Sequence, residues 1–60
     1  MNVKELIEAR GKMNAAQQAS YDELVKAHGQ PVTVYPHGDY FAVIYTWIFI
    51  GIEQDGYAHS

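Results

Sequence analysis

Cysteine is absent from the 60 residues, which removes disulfides and the usual thiolate zinc sites from the means of holding so short a chain together. Basic side chains are missing too from everything beyond Lys26. All four cations (Lys4, Arg10, Lys12, Lys26) precede residue 27, and the rest of the chain carries only Asp39, Glu53 and Asp55 as formal charges, so the net charge of −3 sits in the second half. A surface without Lys or Arg cannot neutralise phosphates, and this argues against a nucleic-acid partner. No apolar segment is long enough for a membrane helix. The longest uncharged, mostly apolar run, Tyr40 to Ile52, is 13 residues, short of the ~20 that a span needs, and it is β-branched and aromatic. The first residues, Met1 to Glu5, show no basic segment followed by an apolar one, so a cytoplasmic location is the expectation.

Sixty residues make one domain (1–60), which buries only about 60% of the surface its unfolded chain exposes. Such a domain needs a good core or a partner chain, and self-association is the support favoured by composition. Two halves are legible, helical from 1 to 29 and β from 30 to 60. Asn2 with Glu5 three residues on is a capping box, with Met1 and Leu6 at the staple positions, and Val3, Leu6 and Ile7 follow at helical spacing. A helix over 3–11 is expected, with a Glu8–Lys12 pair and Gly11 as its stop. Asn14 with Gln17 and Ser20 with Glu23 are competing caps for a second helix. The good helix formers in "AAQQAS" favour Asn14 and a span of 15–28, with an Asp22–Lys26 pair and Gly29 at the left-handed end position. A single helix over 3–28 is the rival, but its heptad seam would hold Arg10, Asn14 and Gln17.

After Gly29-Gln30-Pro31 the period becomes extended. Val32 to Tyr35 suits a strand, and "PHGD" at 36–39 suits the turn of a hairpin. In 40–52 apolar residues fall on both faces: Tyr40, Ala42, Ile44, Ile48 and Ile50 on one, and Phe41, Val43, Tyr45, Trp47 and Phe49 on the other. The run is long for one strand of about 5–6 residues, and a tight turn near Thr46 and Trp47 or a bulge at Gly51 would divide it. "EQDG" at 53–56 reads as a turn, and residues 57–60 as a short returning edge or a frayed tail. The fold class expected is α+β, with two helices packed on one face of a small, mostly antiparallel sheet of two to four strands.

Chemistry-bearing motifs are scarce. His37, Asp39 and His59 are the residues a small metal protein or enzyme would use, but their spacing matches no ligand pattern, and His37-Gly38-Asp39 has the composition of a turn. His28 sits where an imidazolium favours the end of a helix dipole. There is no Gly-rich phosphate loop and no nucleophile elbow, so no enzyme and no cofactor are expected. Seven of the eight aromatics lie in the β half, more than two short helices can cover. Tyr and Trp favour protein contacts because they bury large areas while keeping a polar tip. The sequence therefore points to a protein-binding module, with Tyr40, Tyr45, Trp47 and Phe49 as candidate interface residues. Its expected partners are a second copy in a homodimer, a larger protein, or both, and neither nucleic acid nor membrane. A small Met-initiated chain of this kind also fits the accessory-gene products, those of phages among them, that inhibit or regulate a host protein.

Overall fold

Two reciprocal capping boxes divide the helical half. In the computed structural model, which describes all 60 residues, the Asn2 side chain accepts the Glu5 backbone N–H at 2.9 Å while Glu5 accepts that of Asn2 at 3.2 Å. Asn14 and Gln17 repeat the exchange at 2.8 and 3.0 Å. The helices are α1, Val3–Gly11, and α2, Ala15–His28. Asn14 itself is extended (φ −75°, ψ 173°), so the chain breaks there and the single long helix is excluded. An Asn cap contributes about 1 kcal/mol, which matters in a domain this small. α1 ends at Gly11 as expected, without a left-handed residue at its end. Lys12 caps it in the right-handed region, with the Lys12 and Met13 N–H groups turning back to Ala9 and Arg10. Gly29 does hold a glycine conformation, φ 85° and ψ −172°, at the end of α2.

Four strands follow: β1 (Thr33–His37), β2 (Tyr40–Ile44), β3 (Phe49–Ile52) and β4 (Ala58–His59). They form an antiparallel meander in sequence order, with both helices packed against it, α1 over β1 and α2 over β3. Gly38, at φ 61°, supplies the first position of the two-residue turn joining β1 to β2. The apolar run divides at a turn over residues 45–48, closed by Tyr45 N–H donating to Ile48 C=O at 2.9 Å. No bulge at Gly51 is needed. The turn corrects the assignment of faces: Ile44 pairs with Phe49 and Val43 with Ile50, so Phe49 joins the face of Tyr40, and Ile50 joins that of Phe41. A reversal that pairs even-numbered with odd-numbered positions inverts the alternation a continuous strand would have kept.

The core lies between the layers. Val34, Phe41, Val43, Tyr45, Ile50 and Ile52 from the β half meet Leu6, Ala9, Met13 and Tyr21 from the helical half, with Leu24 and Val25 packed at its border. Val3 and Ile7, which share an apolar stripe with Leu6 in the sequence, are 59% and 65% exposed. One residue along a helix turns a side chain by about 100°, so once Leu6 faces the sheet, Ile7 is carried to an open groove between the helices. The charge pairing differs as well. No Glu8–Lys12 or Asp22–Lys26 bridge forms; Arg10 donates to Asp22 through Nε at 2.8 Å and a terminal nitrogen at 2.7 Å, joining the two helices. This bond holds the Asp22 carboxyl below its ordinary pKa and the Arg10 guanidinium above its own.

Candidate functional site

Strand alternation sends every second side chain of the sheet away from the helices, and the outer face so formed leaves Tyr35, Phe49 and Tyr57 exposed. The register brings Tyr35, His37, Tyr40 and Phe49 together on it. His37 and Tyr40, a cross-strand pair, stack with centroids 5.0 Å apart; Tyr35 leans on His37 at 6.4 Å, and Tyr40 stands edge-on to Phe49 at 6.4 Å. At the far margin Tyr57 stacks on His59 at 5.5 Å, and His59 Nε2 lies 2.7 Å from a Glu53 carboxylate oxygen. That bond raises the His59 pKa above the ordinary imidazole value.

The floor between these groups consists of Ala42 and Gly51, neighbours across β2 and β3. Ala42 is wholly buried although it points outward. A Cβ on Gly51 would lie 3.2 Å from the Tyr40 ring and 3.5 Å from His59 Nε2, so the absence of a side chain there lets the two aromatic groups close over the strand. The result is a flat aromatic carpet. Hollows lie between the helices and, at the carpet's border beside Tyr35, between α1 and β1, while beside Tyr57 an open acidic margin is formed by Asp39, Glu53, Gln54 and Asp55.

Of the four residues singled out from sequence, Tyr40 and Phe49 share this face. Tyr45 does not: it is 5% exposed, and its hydroxyl donates to the Gly29 carbonyl at 2.8 Å, so it belongs to the core, with burial pushing its pKa up. Trp47 is 63% exposed at the tip of the 45–48 turn, where it leans on Tyr45 at 5.0 Å and stands edge-on to His28 at 6.1 Å, beside the end of α2. His37, Asp39 and His59 are not assembled as ligands, and no group of three His, Asp or Glu side chains is placed to hold a metal ion. Tyr35, His37, Tyr57 and His59 were not expected on the face. Their i, i+2 spacing was the available signal, hidden because 36–39 and 57–60 also read as turn and tail.

The sheet's edges are poor templates for another strand. The Met1 amine donates to the Val32 carbonyl at 2.8 Å, and Val34 N–H points out of the sheet to Met1 Sδ at 3.3 Å. The next outward position of β1 is Pro36, which has no N–H. β4, at the opposite edge, is two residues long. No helix is long and apolar enough to cross a membrane. No family model matches this chain, and no curated protein or solved structure matches it. Fold and site define a two-layer α+β protein with helices on one side of a meander and an open aromatic face on the other.

Proposed function

We propose that this chain is a non-enzymatic protein-binding module that docks the outer face of its sheet flat against a partner protein. The observation carrying this reading is the carpet over Ala42 and Gly51, in which Tyr35, His37, Tyr40 and Phe49 form a chain of ring contacts and Tyr57 stacks on His59 at the margin, with Tyr35, Phe49 and Tyr57 exposed. Rings already packed against one another lose little further freedom on binding, and Tyr and Phe bury large areas at protein contacts. A flat surface suits another protein better than a small molecule, which needs a concave site. The lack of cations in residues 27–60 disfavours stacking on nucleic-acid bases, since such platforms are joined to a positive groove. A module of this kind acts by occupying a surface of its target, as an inhibitor or regulator does.

Affinity capture from lysate of the source cells tests the reading, with the wild type, Phe49→Asp on the face and Ile7→Asp in the helix groove as baits. The expected outcome is a protein retained by the wild type and by Ile7→Asp and lost with Phe49→Asp. Equal retention by all three, or by none, would count against it.

A further inference from the structure

The chemistry of the partner follows from charge and area at this same face, so the inference rests on the reading just given. We infer that the face takes a foreign protein surface that is apolar at its centre and bears Lys or Arg along one margin, and that it does not take a second copy of this chain.

Charge is the first argument. The turns at one end of the sheet set Asp39, Glu53 and Asp55 around a common acidic patch beside Tyr57, at the border of the carpet. His59 answers Glu53 alone, while the Asp55 carboxylate accepts only the backbone N–H of Tyr57 at 3.0 Å. No Lys or Arg follows residue 26, and the four cations belong to the helical layer or its connecting turn, where Arg10 is already engaged by Asp22. Two copies laid face to face therefore bring no Lys or Arg to this margin. A foreign surface with cations beside an apolar centre complements it, and such complementarity sets partner choice and speeds encounter.

Area is the second. Four strands of 5, 5, 4 and 2 residues, about 4.8 Å apart with ~3.4 Å per residue, give a face of roughly 260 Å² in projection. A stable complex covers about 800 Å² per partner. A second copy, with extents of only 25 × 22 × 21 Å, reaches little past the carpet's border. A larger partner can reach past the border onto the acidic margin. Strand addition between copies, the other route to a dimer, meets the blocked edge of β1 and the two-residue β4.

Two measurements test this. The first is solution mass by sedimentation across concentration. A monomer is expected; a dimer that Phe49→Asp abolishes would overturn the inference while leaving the face a protein-binding one. The second is NMR titration, following the aromatic resonances of Tyr35, Tyr40, Phe49 and Tyr57, with two synthetic peptides that share a Trp/Leu centre and carry either lysines or glutamates on one flank. The lysine peptide should shift these resonances, bind more weakly as salt rises, and lose about tenfold in affinity to an Asp39→Asn/Glu53→Gln/Asp55→Asn variant shown by circular dichroism to be folded. Equal binding of both peptides overturns the basic partner and spares the protein-binding reading. No shift on the face with either peptide goes against both.

Discussion

The hydroxyl of Tyr45, at the end of β2, donates to the carbonyl of Gly29, at the end of α2, across 2.8 Å, while the hydroxyl of Tyr21 in the same core has no partner. The two bury equally well but answer differently to loss of the oxygen. Tyr45→Phe leaves the Gly29 carbonyl short of a donor and should cost about 1 kcal/mol, or about 4–8 °C in the unfolding midpoint. Tyr21→Phe removes an unpaired buried hydroxyl, whose pKa burial pushes up, and should be neutral or stabilising. Thermal unfolding of the pair decides the matter: equal losses would mean that the Tyr45 bond contributes nothing of its own.

Gly56 holds the β3–β4 turn against α2. Its φ is 87°, and a Cβ there would lie 2.8 Å from the backbone oxygen of Ala16, which cannot move aside as a side chain can. Ser20 Oγ donates to the Gly56 carbonyl, and Asn14 Nδ2 donates to that of Gln54 at 2.8 Å. Gly56→Ala combines left-handed strain with a backbone clash and should cost about 1–3 kcal/mol. Gly38→Ala, equally left-handed but in open space, should cost less. Urea unfolding of both variants separates the contributions; equal midpoints would leave the Ala16 contact without weight.

The elements were legible because their signals are local. Asn2 with Glu5 and Asn14 with Gln17 announce both helix starts, and Gly38-Asp39 announces the first hairpin. Which side chains meet was less legible. The position of one turn in residues 40–52 decided whether Phe49 joined Tyr40 or Phe41, and uniformly apolar residues give no alternation from which to read it. The exposure of Ile7 and the burial of Tyr45 likewise depend on how α1 and α2 rotate over the sheet, a tertiary choice. The outer face was half visible: Tyr40 and Phe49 were named, whereas Tyr35, His37, Tyr57 and His59 reach it only through the register.

The pair of His59 with Glu53 makes the stability of the sheet margin depend on pH. Because His59 has its pKa raised in the folded state, the contribution is fully present below the ordinary imidazole value and is lost as pH rises through the folded one. Unfolding midpoints followed between about pH 6 and pH 8 should therefore fall more steeply for the wild type than for His59→Gln, which keeps His28 and His37 as internal controls. The pair is exposed, so the difference will be small. Parallel curves would show that the margin gains nothing from it.

Gly51→Ala separates the stability of the fold from the integrity of the face. The backbone of Gly51 is ordinary strand, without the positive φ of Gly38 or Gly56, so alanine suffers no backbone strain and lowers the entropy cost that glycine carries in a strand by about 0.5–1 kcal/mol. Against this, the new methyl meets the Tyr40 ring at 3.2 Å and His59 Nε2 at 3.5 Å, both side chains free to move outward. The two effects oppose each other and should leave stability within about 1 kcal/mol of the wild type. The carpet, however, must open: Tyr40 lifts from its stack on His37, and His59 moves from the floor. The expected result is a folded protein with altered Tyr40 and His59 resonances and weakened binding of the lysine-flanked peptide. Full affinity in a variant whose rings have demonstrably moved would place the binding surface elsewhere on the molecule, with the Trp47 turn and the groove beside Ile7 the next regions to mutate.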